Sequence, residues 1–321
     1  FMGLVAAVVA GGWYFLNNYE IEEVIPPGVA PDAVQTDGIS LAVAEEEEQL
    51  PPPEKVKIIR IATVNLGPFD RHKMSKQHVA DRLVEVVRQF DIVAVQDVRA
   101  RDRGILIEFV EAINAKDEHY DFATSPSVGQ DPVEQYSAFL FDRATVRIDR
   151  NTVRPADRFR HQPLVAAFQT RGPSAAEAFT FTLINVHIDP SRPEELDLLD
   201  DLFRAVRDDG RGEDDVLLLG DLGTDDRHLG PLGEVPNITW AISGVPSTTR
   251  GTRLVDNVLF DRRATVEFTG RSGVVDLIRQ FDLSMRQAVE MSDHLPVWVE
   301  CSVYEGGQAG HVASETSTST Q

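Results

Sequence analysis

Met291-Ser292-Asp293-His294-Leu295-Pro296 sets an acid and an imidazole side by side, directly before a proline and an apolar run that ends at Val303. Alone it reads as an ordinary turn. Toward the N-terminus the same arrangement recurs, with a short apolar run followed at once by polar functional groups. Asn65 follows the run 58–64, Gln96 and Asp97 follow 92–95, His187 and Asp189 follow 181–186, Asp221 follows 216–219, and Asp256 and Asn257 adjoin Leu254 and Val255. Short apolar runs bounded by polar residues are the pattern of buried strands. Strand ends are where catalytic groups are commonly held, because the sheet fixes the backbone while the side chain reaches a crevice. One Asp in such a place is a turn former or a helix cap; the repetition is what calls for a functional reading.

Helical spacing separates several of these runs. Val79, Leu83, Val86, Val87 and Phe90 recur on one face behind Ser75, read as the cap, and Leu106, Phe109, Val110 and Ile113 mark a second helix. A third starts at Pro193 and runs to about Val206. Further strands are predicted over 137–141, 164–169, 253–260 and 296–303. This is an α/β chain with too many strands, too irregularly spaced by helices, for a simple doubly wound sheet. No internal repeat is visible.

Outside this block the composition changes. Residues 1–16 carry no charge and are apolar or small, slightly short of the ~20 residues that cross a bilayer as a helix. They read as a membrane anchor, with a secretory signal segment and a buried core helix as the alternatives. The acidic flank without Lys or Arg then places the globular part outside the cytoplasm, with secretion as the second choice. Residues 17–55, with Pro26, Pro27, the run 45–48 of glutamates and Pro51 to Pro53, read as an acidic linker, and 305–321 as a disordered Gly/Ser/Thr tail. The domain is therefore 56–304.

The chain has 321 residues and a net charge of −21, which opposes tight binding of nucleic acid through phosphates unless a divalent metal changes the local sign. Cys301 is the single cysteine, so an internal disulfide and cysteine-based zinc sites are excluded.

Taken in order, Asn65, Gln96-Asp97, Asn185-Val186-His187, Gly220-Asp221, Asp256 and Ser292-Asp293-His294 resemble the endonuclease/exonuclease/phosphatase superfamily, the fold of deoxyribonuclease I. The resemblance covers about 57–301 and rests on ordered short motifs that are specific for the superfamily rather than for a substrate. It implies an α/β fold of four layers, two packed mixed β-sheets flanked by helices, and hydrolysis of phosphoesters with Mg²⁺ or Mn²⁺. It implies metal ligation by Asn65, Asp97 and Asp293. His294 matches the family's general base, oriented by Asp256; His187, with Glu134 as its carboxylate partner, matches the second active-site histidine. Asp221 matches the aspartate that orients the attacking water, and Arg160, His161, Thr249 and Arg250 match substrate-contacting positions.

Three positions depart from the family pattern. Asp97 stands where Glu is usual, Gly223 where an Asn follows Gly220-Asp221-Leu222, and His161 where an Arg is frequent. The expected activity is metal-dependent cleavage of a phosphodiester by in-line water attack, as in a nuclease. The expected partner is a phosphoester, including weakly and non-specifically held nucleic acid. A catalytically weakened binding module and a lipid phosphodiesterase or phosphoinositide phosphatase are the alternatives; no basic cluster suited to anionic head groups is visible. Oligomeric state is not legible.

Overall fold

The computed structural model describes residues 57–100, 104–124, 134–156 and 158–309. The segments 1–16 and 17–55 lie outside the described residues, as does most of the 305–321 tail. Among the described residues no helix is long and apolar enough to cross a membrane.

Two six-stranded sheets carry the fold, ordered β11-β12-β1-β2-β4-β3 and β5-β6-β7-β8-β10-β9. The strands are β1 (Ile58–Phe69), β2 (Ile92–Ala100), β3 (Tyr120–Thr124), β4 (Glu134–Asp142), β5 (Val146–Pro155), β6 (Leu164–Thr170), β7 (Thr180–His187), β8 (Val216–Asp221), β9 (Ile238–Trp240), β10 (Asp256–Asp261), β11 (Phe268–Val274) and β12 (Val297–Ser302). Each sheet has one parallel pair at its centre, β1/β2 or β7/β8, with antiparallel neighbours on both sides. A parallel pair needs a crossover, supplied by the helix Gln77–Val87 in one sheet and by a 3₁₀ turn, Pro193–Leu198, leading into the helix Leu199–Arg207 in the other.

Strand alternation sorts the side chains into layers. Ile59, Ile61, Ile92, Ala94, Phe181, Leu183, Leu217, Leu219, Val258 and Phe260 fill the space between the sheets. Ala62, Val64, Val93 and Val95 face outward under the helices Gln77–Val87 and Gly104–Asn114, and Ile184, Val186 and Leu218 face outward under Leu199–Arg207. The result is the four-layer sandwich that the resemblance implied.

Several local details differ from the sequence reading. The helix Gln77–Val87 starts from Lys76 without a side-chain cap, and Ser75 instead ends a preceding turn, Arg71–Met74, its hydroxyl donating to the His72 carbonyl. The strand predicted from Arg253 begins only at Asp256, because Ser247 and Thr248 take the amides and carbonyl of the 253–256 stretch. A turn at Glu305–Gly307 follows Tyr304.

Candidate active site

The parity that fills the core also builds the site. Continuing the inward-facing rows by one step puts Asn65 after Ile61 and Thr63, Gln96 after Ile92 and Ala94, His187 after Leu183 and Asn185, Asp221 after Leu217 and Leu219, and Asp256 before Val258. The inter-sheet layer thus turns from aliphatic to polar at one end of the sandwich. Gln96 Nε2 donates to Asn185 Oδ1 at 2.7 Å and to Thr63 Oγ1 at 2.9 Å, tying the two sheets beneath the site. Within one sheet, His187 pairs with Asp221 and Asp221 with Asp256, so the three groups stand in one row across neighbouring strands. Gly220 permits this row: a Cβ there would lie 1.9 Å from the Val186 carbonyl oxygen.

Asp221 is the focus. Its Oδ2 accepts from Asn65 Nδ2 at 2.9 Å and lies 3.8 Å from both His187 Nε2 and His294 Nε2, while Oδ1 accepts from the Gly223 amide at 2.9 Å. Both imidazoles therefore present Nε2 to the same carboxylate oxygen, His187 from the end of β7 and His294 from the segment before β12.

The far nitrogen of His294, Nδ1, contacts Asp256 Oδ1 and Oδ2 at 3.0 and 2.9 Å. Asp256 is fully buried and also accepts from Ser247 Oγ at 2.7 Å. Burial opposes a charged His294, but the Asp256 hydrogen bond and the charges of Asp256, Asp221 and Asp293 outweigh it and push the imidazole up to about 9. Burial pushes Asp256 up to about 6, with His294 pulling the other way. At neutral pH the pair is a carboxylate and an imidazolium. His187 goes the opposite way, since burial holds it below the ordinary histidine value against the pull of Asp221. The site thus keeps one charged and one neutral imidazole about a single acid.

The two acids that the resemblance adds to Asn65 as cation ligands, Asp97 and Asp293, both act on the Lys73 ammonium. A β-bulge interrupts β2 between Val95 and Val98, and Asp97 within it has φ +61, a left-handed conformation that Asp tolerates better than most residues. The bulge takes Asp97 out of strand alternation and into a crevice lined also by Gln135, Tyr136, Ser137, His161, Gln162 and His187. Arg99 holds its carboxylate by two bonds, Nε to Oδ1 at 2.6 Å and Nη2 to Oδ2 at 3.0 Å. Lys73 donates to the Leu66 carbonyl and, at 3.0 Å, to that of Met291, and its ammonium feels Asp293, Asp97 and Asp70. Burial pulls Lys73 down to about 8, against those acids. Asn65 Oδ1 accepts from the Gly67 amide at 2.9 Å. Hard oxygen donors with an ammonium already attracted between them suit a cation such as Mg²⁺, which keeps several waters and needs only one or two carboxylates. The donor types suit such a cation, with Arg99, which holds both Asp97 oxygens, and Lys73 as competing counter-charges. Asp221, Asp256 and His294 also bring ligand atoms within 4.8 Å of one another, but His294 Nδ1 and Asp256 are already bonded to each other.

Of the substrate-contact positions, His161 stacks on His187 with ring centroids 4.6 Å apart and planes 13° from parallel. Burial, with His187 adding, lowers it to about 4, so it is neutral at physiological pH. Arg160 and Arg250 are exposed. The Arg160 amide donates to Glu195 Oε1 at 2.7 Å. Thr249 is buried and structural in its contacts, Oγ1 donating to the Ser292 carbonyl at 2.7 Å and its amide to that of Asp293 at 2.8 Å. Glu134 opens β4, and its side chain lies outside the described residues.

A family model for the "Endonuclease/Exonuclease/phosphatase family" matches residues 63–294. The chain belongs to this family. Deoxyribonuclease-1-like 2 of Mus musculus is 29% identical over 259 residues, covering 75% of this chain and 91% of the relative. Bos taurus deoxyribonuclease-1 is 26% identical over 264 residues, with the same two coverages of 75% and 91%. Among solved structures, a humanized D. rerio TDP2 superimposes with a TM-score of 0.54 at 13% identity, covering 76% of this chain and 98% of that one. Family membership places the chain among phosphoesterases and nucleases and accounts for the two-sheet sandwich.

Lys73, Arg99 and Ser247 went unread in the sequence, although all three touch site groups. Arg99 lies two residues beyond Asp97, but the bulge at Asp97 breaks the alternation that would have placed the two on one side. Ser247 precedes Asp256 by nine residues in a loop, and Lys73 lies in a turn with no periodicity, so only the tertiary fold brings them in. Ser292 was part of the Ser-Asp-His motif, and its role is now visible: Oγ donates to the Asn65 carbonyl at 2.6 Å and accepts from the His294 amide at 2.9 Å, locking the two halves of the site together.

Proposed function

We propose that the chain is a divalent-metal-dependent phosphodiesterase that cleaves DNA by in-line attack of water. The convergence of Asn65, His187 and His294 on Asp221 Oδ2 carries this reading. Asn65, Asp97 and Asp293 would hold Mg²⁺ or Mn²⁺, which when bound supplies charge neutralisation at the phosphoryl oxygens. Asp221, fixed by Asn65 and the Gly223 amide, orients the water. The neutral His187 accepts its proton, and the imidazolium of His294, held by Asp256, donates toward the phosphoryl group or the leaving oxygen. These assignments follow the resting charges of the imidazoles and give the base's work to His187 rather than His294. Arg160 and Arg250 give the exposed rim positive groups, while the net charge of −21 keeps overall grip on a polyanion weak. The deoxyribonucleases among the relatives support DNA as the substrate.

Nicking of supercoiled plasmid with Mg²⁺ and with Mn²⁺ tests the proposal, using His187→Ala and His294→Ala beside the wild type. Cleavage that needs metal and is lost in both variants is the expected result. Equal turnover in all three proteins with either metal rejects it in favour of a binding module.

A further inference from the structure

At the end of the sandwich away from Asp221, Asp215, Glu267 and Glu305 each bring a carboxylate oxygen within 4.8 Å of the others. Asp215 directly precedes β8, Glu267 directly precedes β11, and Glu305 follows β12, so the three acids join both sheets. Asp215 and Asp221 flank the same strand, and at ~3.3 Å per residue they are about 20 Å apart.

Glu267 and Glu305 are each fixed through one carboxylate oxygen, and Asp215 through its backbone amide. Glu267 Oε1 accepts from the Gly306 amide at 2.6 Å, and Glu305 Oε2 accepts from the Thr180 amide at 3.3 Å. Glu213 Oε1 takes the Asp215 amide at 2.9 Å, positioning that aspartate. The other oxygens are left over. Asp215 is 3% exposed and Glu267 2%, yet Asp215 Oδ1 and Glu267 Oε2 have no hydrogen-bond partner. Native interiors leave few polar atoms in that state, because water has been given up and nothing has replaced it. No ion pair relieves them either: among the described residues the neighbouring Arg207 and Arg211 pair with Asp208 and Asp209. Burial and mutual repulsion consequently push Asp215 up to about 9 and Glu213 and Glu267 to about 7.

We propose that Asp215, Glu267 and Glu305 form a structural Ca²⁺ site, distinct from the candidate active site, that clasps the two sheets at their far end. Carboxylate oxygens from three segments within 4.8 Å of one another, with the Thr265 hydroxyl beside Asp215, suit a hard cation, and Ca²⁺ accepts irregular shells of six to eight oxygens where Mg²⁺ demands a hydrated octahedron. A soft metal is disfavoured. The nearby Cys301 is buried, and burial together with Glu267 and Asp215 raises its thiol, so it offers no thiolate.

The test uses the full chain carrying Asp97→Ala and Asp293→Ala, so that cation binding at the candidate active site does not contribute. After EDTA treatment, CaCl₂ at a hundredfold excess over Kd raises Tm by roughly 4 °C or more, Mg²⁺ at the same concentration raises it less, and calorimetric titration loses one Ca²⁺ per chain when Asp215→Asn or Glu267→Gln is added. Absence of a Ca²⁺-dependent shift in the parent overturns the proposal, whether or not the added variants fold. An equal shift and equal stoichiometry with and without Asp215→Asn and Glu267→Gln also overturns it, and the acids are then held together by shared protons.

Discussion

β8 is flanked by Asp215 before its first residue and closed by Asp221 as its last, on the same face of the sheet, and the two aspartates live in opposite surroundings. Asp221 has an amide side chain, a backbone N–H and two imidazoles around it; Asp215 has other acids. Both ends bury carboxylates in the inter-sheet layer, where a charge survives only if something answers it. One end answers with groups that donate and move protons. The other offers one backbone amide each to Glu267 and Glu305 and leaves Asp215 Oδ1 and Glu267 Oε2 without a hydrogen-bond partner. That difference separates a place for chemistry from a place for a bound cation.

The comparison breaks most visibly at Asp221. Asp221→Ala removes the carboxylate that accepts from Asn65 and faces His187 and His294 Nε2 at 3.8 Å, and DNA cleavage falls by about 10³-fold or more in kcat/KM, read by initial rates on a labelled duplex. His294→Ala comes next. It lowers the rate by roughly 10²- to 10⁴-fold, and because it strands the fully buried Asp256 it also costs about 3–5 kcal/mol of stability, seen as a lower Tm. An unchanged Tm would mean that Asp256 does not depend on His294 for its charge.

The charge states predict the pH dependence. With His187 required neutral and His294 required charged, the rate rises as pH climbs through the lowered His187 value, below 6.5, and falls as His294 loses its proton near 9. A rate that instead climbs through 9 exchanges the roles of the two histidines.

At the other end, Asp215→Asn sharpens the contrast by acting in the reverse direction. The folded protein holds Asp215 up to about 9 against an ordinary 3.8. Folding therefore takes up a proton between those values, and stability falls as pH rises through that window. In EDTA, Asp215→Asn raises Tm, and more at pH 8 than at pH 5, as melts at the two values will show. The smallest effect belongs to Gly223→Asn. Gly223 has φ +66 with open space at its Cβ, a conformation Asn accepts, so the missing amide donor can be restored with an increase of about 10-fold, part of the 10² to 10³ such a donor is worth.

What the sequence disclosed follows from burial. β2, β7 and β8 are covered on both faces and read as plain apolar runs with their polar ends exposed to inspection. β5 and β11 are edge strands, β5 with the sequence VRIDRNTVRP and a register shift between Asp149 and Arg154 that cuts its alternation short after Val146 and Ile148, β11 with no buried residue. The site's inward residues were legible for the same reason as the core, since they extend its rows. Asp97 was legible by motif, although its φ of +61 puts it off the row. The Asp215 cluster was invisible, because Asp215, Glu267 and Glu305 are joined only by the packing of the two sheets.

Whether His187 and His294 act as one unit upon a single phosphodiester around Asp221 is read from a double-mutant cycle. His187→Ala and His294→Ala, singly and together, are compared in metal-dependent DNA cleavage. The double variant is expected to be about as slow as either single one, as for groups serving one step. Losses that simply multiply, or a single variant with wild-type turnover, would contradict it.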